Sequence, residues 1–211
     1  MSQVIVCPTI TAADSREYKE QMDKVTTFAG RLHLDVADGQ LAPRKLIDID
    51  QLWWPGNVTV DLHVMYLRPF DYLDLFLVQH PEMVIIHAEA DGDFLSFANR
   101  LHRHGIEVGV ALLPQTSVDV IKPALREIDH VLIFSGNLGY QGGGRVHFKL
   151  LKKVLLLRSL KPTLEIGWDG GIDTHNAKDL IRAGVDVLNV GGYIQHSTNA
   201  VGAYTALEAL I

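Results

Sequence analysis

The chain has 211 residues, 47% of them hydrophobic and 21% charged, so it can bury one large core, and a single globular domain over residues 1–211 is expected. Its formal charge of −6 gives no general attraction to nucleic acid or to an anionic membrane, so an anionic ligand must be held by local donors. The lone cysteine, Cys7, excludes an internal disulfide, and no Cys/His zinc-finger spacing occurs, which fits a reducing cytoplasm.

The stretch Met1–Pro8 lacks a basic leader and a long apolar core. No later run approaches the roughly 18 apolar residues of a membrane span, so a soluble, unprocessed protein is expected. Short apolar, β-rich runs follow in chain order: Val4–Thr9, Leu32–Val36, Val58–Val64, Met83–His87, Val108–Leu113, Val131–Ser135, Leu164–Trp168 and Val187–Gly191. Such continuously apolar runs read as buried parallel strands.

Helical spacing marks the intervening segments Ser15–Phe28, Phe70–Val78, Phe94–His104, Ser117–Ile128, Phe148–Leu160, Thr174–Ala183 and Val201–Leu210. Asp14, Asp93, Ser117 and Thr174 stand where N-caps are wanted, and Gly30, Gly105 and Gly184 follow helical patterns. This alternation leaves a closed (β/α)₈ barrel or an open doubly wound sheet. Thr9, His33 with Asp35, His63, His87 with Glu89, Ser135, Asp169 and Gly191 with Gly192 all lie at or near strand C-termini. A barrel gathers those ends around one mouth, so a single-domain α/β (β/α)₈ TIM barrel is the expected fold.

Within Leu32-His33-Leu34-Asp35, the histidine and aspartate are two apart and share one strand face. His63 closes the next strand and Asp169 the seventh, so a barrel brings two imidazoles and two carboxylates to one point. One divalent ion, Zn, Fe(II), Mn or Co, suits that set, since burying it without a cation is expensive. Asp35 and Asp169 on opposite sides of such an ion could remove a proton beside a ketone and return one on the other face. Met65, on the same face as His63, reads either as an apolar floor that excludes water or as plain core.

Three glycine groups follow the sixth, seventh and eighth strands: Gly139 with Gly142, Gly143 and Gly144; Gly170-Gly171; and Gly191-Gly192. Backbone N–H groups in such loops cradle phosphates, and Arg145 could add a charge there.

These residues, in this order, resemble the ribulose-phosphate 3-epimerase family. The similarity runs through Val6–Asp14, Leu32–Gly39, Asp61–Met65, His87–Ala90, Gly109–Pro114, Ser135–Tyr140 and Asp169–Ile172, nearly the whole chain. It implies a metal-dependent barrel isomerase of the pentose phosphate pathway. Such an enzyme interconverts D-ribulose 5-phosphate and D-xylulose 5-phosphate through a metal-stabilised 2,3-enediolate. It makes His33, Asp35, His63 and Asp169 the metal ligands, Asp35 the proton acceptor and Asp169 the donor. Thr9 and His63 then touch the sugar, and the three glycine groups hold the phosphate. A small phosphorylated ketose is the implied partner, and a homo-oligomer the implied assembly.

Departures from the family pattern fall in the pocket. Thr9 stands for a serine, Ala37 and Phe134 for methionines, Arg44 for an asparagine and Leu138 for a proline, while Gln141 interrupts the glycines and Tyr193 follows Gly191-Gly192. The space left at Ala37 keeps a ketohexose phosphate such as D-allulose 6-phosphate in view, and the altered loops keep a non-catalytic sugar-phosphate binder in view. The Asp-x-Lys-x-x-Asp cluster of related decarboxylases and aldolases has no lysine counterpart in Leu32–Asp38.

Overall fold

The computed structural model describes residues 4–211; Met1–Gln3, part of the N-terminal stretch without leader features, lie outside the described residues. Parallel strands close into a barrel in chain order: β1 (Ile5–Thr11), β2 (Arg31–Ala37), β3 (Thr59–Met65), β4 (Met83–His87), β5 (Glu107–Leu112), β6 (His130–Phe134), β7 (Glu165–Asp169) and β8 (Val187–Val190), with β8 pairing back onto β1. The fold is therefore the single (β/α)₈ barrel expected from the strand ends.

The helices are α1 (Ser15–Val25), α2 (Leu73–Gln79), α3 (Phe94–His102), α4 (Leu151–Leu160), α5 (Ala177–Arg182), α6 (Gly192–Gln195) and α7 (Ala200–Glu208). In α1, Tyr18, Gln21, Met22 and Val25 are buried at one-face spacing, and Asp14 caps the start by accepting from the N–H groups of Arg16 and Glu17. Asp93 caps α3 through Ser96 N–H. No helix among the described residues is long and apolar enough to cross a membrane.

The helical reading of Ser117–Ile128 needs correction: two 3₁₀ turns, Val118–Val120 and Lys122–Glu127, occupy that segment. Pro123 has no N–H for an α-turn and restricts Lys122 before it, so the apolar spacing cannot be satisfied by one α-helix. Ser117 still caps the first turn through Asp119 N–H. Thr174 does not cap α5. Asp173 accepts from His175 and Asn176 N–H instead, and α5 starts only at Ala177. Helix α1 ends at Val25, five residues short of Gly30, and the four-residue α6 begins where only a glycine loop was expected.

Alternate residues along each strand face either the helices or the barrel axis. Outward residues such as Val6, Leu34, Val84, Ile133 and Leu188 join the main core under the helices, whereas Met83, Ile85, Ala111 and Leu132 form a separate apolar plug. At the N-terminal end of the barrel, Arg31 Nε meets Asp61 at 2.8 Å, and its two terminal nitrogens meet both oxygens of Glu165 at 2.8 Å. His130 Nδ1 adds a 2.7 Å contact to Glu165. The mouth at the other end is thereby left to chemistry.

Burial opposes the charge on Glu165, but Arg31 and His130 outweigh it and hold its carboxyl well below the usual carboxylate range. That stabilisation is complete above the unfolded value of about 4.3 and fades as pH falls below it. Arg31→Met should cost about 2–3 kcal/mol, less than a fully buried pair because Glu165 keeps some solvent contact, since it strands the buried Asp61. Chemical denaturation at pH 7 checks this; an unchanged midpoint would show that the network does not hold the barrel.

Candidate metal and proton-transfer site

Strand register assembles the site. His33 and Asp35 share one face of β2, and pairing of β2 with β3 sets Asp35 directly beside His63. His63 Nδ1 consequently lies 2.8 Å from Asp35 Oδ1. Pairing of β1 with β2 sets Thr11 beside Asp35, and its hydroxyl donates to Asp35 Oδ2 at 2.6 Å. Asp169 ends β7, where its carboxylate comes within 3.8 Å of His33 Nε2, itself 3.4 Å from Asp35 Oδ1.

One donor atom from each of His33, Asp35, His63 and Asp169 falls within 4.8 Å of the others. All four are buried, and neither ring nitrogen of His33 has a hydrogen-bond partner. Buried polar atoms without partners are uncommon, and a two-nitrogen, two-oxygen donor set around such an atom suits one divalent cation. Behind the group, His63 Nε2 lies 2.9 Å from His87 Nε2, and His87 Nδ1 lies 3.4 Å from Glu89. Glu89 also accepts from the Thr116 hydroxyl. The contact with His87 occupies His63 Nε2 and leaves Nδ1 facing Asp35, the kind of outer-shell orientation that ligating histidines use.

The environments of the two carboxylates diverge. Burial opposes ionisation of Asp35, but the His33 and His63 imidazoles outweigh it and hold its carboxyl well below the usual range. Burial, reinforced by the charge of Asp35, pushes Asp169 up to about 7. Burial pushes His63 down to about 4 against the pull of Asp35, whereas His33 is raised because Asp35 outweighs the same burial. The metal-free site thus holds an ionised Asp35 and an Asp169 poised to carry a proton near neutrality.

A cavity of about 280 Å³ adjoins the carboxylates. Thr9, Asp35, Met65 and Asp169 line it, as do Gly139, Gly142, Gly143 and Gly144 after β6. Gly170 and Gly171 after β7, and Gly191 and Gly192 after β8, complete the same wall. His33 and His63 sit behind it, fully buried. A Cβ on Gly170 would come within 2.2 Å of Gly136 N, and one on Gly171 within 2.5 Å of the Arg145 backbone; both have positive φ, so only glycine lets these loops meet.

Several expectations change in detail. Met65 serves both as cavity wall and as packing, and its Sδ accepts the Gly139 N–H at 3.3 Å, which takes that N–H away from any phosphate. Arg145 is exposed and off the cavity, with its carbonyl accepting from Ser135 Oγ, so it brings no charge to the wall. Ala37 is fully buried in a cluster with Ala42, Leu46 and Met65 and is not among the residues that line the cavity. Phe134 does line the cavity, with its ring 5.7 Å from that of His63.

Sequence reasoning missed Thr11, whose contact with Asp35 depends on register. It treated Gln141 only as an interruption, yet the Gln141 amide donates to Thr9 O at 3.0 Å and accepts from Thr11 N–H at 3.3 Å, strapping the β6 loop to β1. It also missed Asn189, which lines the cavity. A polar residue at an inward position of the apolar run Val187-Leu188-Asn189-Val190 was the available signal.

The model of the Ribulose-phosphate 3 epimerase family matches residues 5–195. The chain belongs to that family. A ribulose-phosphate 3-epimerase of Helicobacter pylori is 29% identical over 210 residues, covering 96% of each chain, and one of Bacillus subtilis is 27% identical over 198 residues, covering 90% of this chain and 91% of its own. Among solved structures, 3-hexulose-6-phosphate synthase from Salmonella typhimurium superposes with a TM-score of 0.74 over 97% of each chain. KGPDC from Streptococcus mutans superposes with a TM-score of 0.73 over 100% of this chain and 97% of its own. At 18% and 12% identity these two show the shared barrel alone. As a member of the epimerase family the protein is an isomerase, a carbohydrate epimerase, and its buried His/Asp group could hold a divalent ion.

Because Asp169 carries a proton below about pH 7, a divalent ion entering this group must displace it. Calorimetric titration of metal-free protein should release at least one proton per ion at pH 6 and fewer at pH 8.5, with affinity rising across that interval. Proton release and affinity independent of pH would contradict the assignment of Asp169 as a ligand.

Proposed function

We propose that the protein interconverts D-ribulose 5-phosphate and D-xylulose 5-phosphate, as one catalytic domain over residues 1–211, with one divalent ion held by His33, Asp35, His63 and Asp169. The observation that carries this reading is the pair of buried carboxylates, Asp35 and Asp169, meeting the His33 and His63 imidazoles at one point beside a cavity walled by glycines. The family membership and the epimerase relatives support it. When bound, the ion supplies positive charge that stabilises the enediolate oxygens.

Asp35, ionised and held by Thr11 and His63, accepts the C3 proton on one face of the ketose. Asp169 takes a proton from solvent and delivers it to C3 on the opposite face, which inverts that carbon. Asp35 then holds the proton Asp169 lacks, and exchange with solvent resets the pair; the reverse reaction swaps the roles. Backbone N–H groups of the Gly142–Gly144, Gly170-Gly171 and Gly191-Gly192 loops receive the phosphate, because no lysine or arginine among the described residues lines the cavity. Thr9 contacts the sugar, and Met65 with Phe134 excludes water from the reacting face.

The five-carbon sugar is favoured over a ketohexose phosphate because the curated relatives over nearly the whole chain are ribulose-phosphate 3-epimerases. D-Ribulose 5-phosphate should be turned over with a higher kcat/KM than D-allulose 6-phosphate, and the reverse order would overturn this choice of substrate. Asp35→Asn and Asp169→Asn should each lower kcat by about 10³-fold or more while leaving the circular-dichroism spectrum of the barrel intact. Normal turnover by either variant would remove that carboxylate from the proposed mechanism.

A further inference from the structure

Asn189 is the one amide in the β8 run Val187-Leu188-Asn189-Val190. It is 1% exposed, yet neither Oδ1 nor Nδ2 has a hydrogen-bond partner, although the residue lines the cavity. Register sets it beside Asp169 on β7 and beside Cys7 on β1. Two residues further along the same strand face lies Gly191 of the glycine wall. The hydroxyl of Thr9, which also faces the cavity, is likewise buried and without a partner.

An apolar β-branched side chain would suit this position of a buried strand better, since an unpaired interior amide opposes folding. Such a group persists where a ligand completes its hydrogen bonds. An amide offers one acceptor and a donor pair, and a hydroxyl is the small group that satisfies both.

We propose that Asn189 is a specificity-determining residue that binds a sugar hydroxyl through its side-chain amide, with the Thr9 hydroxyl beside it. This rests on the ketose-phosphate epimerase reading. Asn189 stands between Asp169, which faces the reacting carbon, and Gly191, which faces the phosphate. The hydroxyl it receives is therefore the one on the carbon between them, C4 of a pentulose 5-phosphate. The site accordingly selects ketose phosphates hydroxylated next to the epimerised carbon.

The test uses metal-loaded wild-type protein, Asn189→Val and Asn189→Ser, each with D-ribulose 5-phosphate and its 4-deoxy analogue, by steady-state kinetics and by calorimetric binding. Wild type should prefer the hydroxylated sugar by about 30-fold or more in kcat/KM, because the deoxy sugar leaves the amide unpaired. Asn189→Val should lose that preference to within about threefold by weakening on the hydroxylated sugar alone, and its Tm should rise by a few degrees. Asn189→Ser, which keeps a hydroxyl donor and acceptor, should retain part of the preference.

An undiminished preference in Asn189→Val, or equal weakening on both sugars, would overturn the subsite. Absence of turnover by wild type would instead contradict the epimerase reading, and the calorimetric preference would still decide the subsite. Turnover without preference in wild type would leave the epimerase standing and remove Asn189 from substrate recognition.

Discussion

Asp35 and Asp169 are buried with their carboxylates aimed at one point, and a low-dielectric interior does not keep two negative charges together without a proton or a cation. In the metal-free protein the conflict is resolved by asymmetry. The imidazoles of His33 and His63 stabilise the charge on Asp35, and Asp169 takes the proton. In the proposed reaction the same two carboxylates act as base and acid on opposite sides of a substrate carbon, so the electrostatic constraint and the proposed chemistry involve one pair of side chains.

Nothing in that arrangement survives a shift of strand register. Asp35 meets His63 and Thr11 only because β1, β2 and β3 pair as they do, and a slip of one residue would turn each of these side chains into the helix layer. The interior explains how the register is secured. The Arg31, Asp61, Glu165 and His130 network ties β2, β3, β6 and β7 together at the N-terminal end, and the plug of Met83, Ile85, Ala111 and Leu132 fills the axis between that network and the mouth. The unpaired polar atoms of His33, Thr9 and Asn189 lie toward the mouth, where the cavity opens.

Much of this was legible in the residues themselves. Short, continuously apolar runs and their polar C-terminal ends are local signals, and His33-x-Asp35 on one strand needs only the alternation of side chains to be read as a shared face. What escaped was set by pairing across strands or by competing local rules. The contacts of Thr11 with Asp35 and of His87 with His63 depend on which residue a neighbouring strand brings alongside. Pro123 overrode an apolar spacing that otherwise reads as helix. Arg145 follows three glycines, yet the turn carries its side chain outward, and the packing of Leu46 against Ala37 joins residues nine apart through a loop that sequence spacing does not describe. Asn189 was visible as a polar residue in an apolar run, but its meaning required the cavity beside it.

The most direct test of two carboxylates working on opposite faces is the fate of the C3 hydrogen. Metal-loaded protein would be incubated with D-ribulose 5-phosphate in deuterated water and sampled at low conversion. The account predicts xylulose 5-phosphate carrying one deuterium at C3, with the remaining ribulose 5-phosphate largely unlabelled, because the incoming proton comes from Asp169 and the departing one stays with Asp35. Product that retains the original hydrogen at C3, or a complete absence of label and of product, would contradict it.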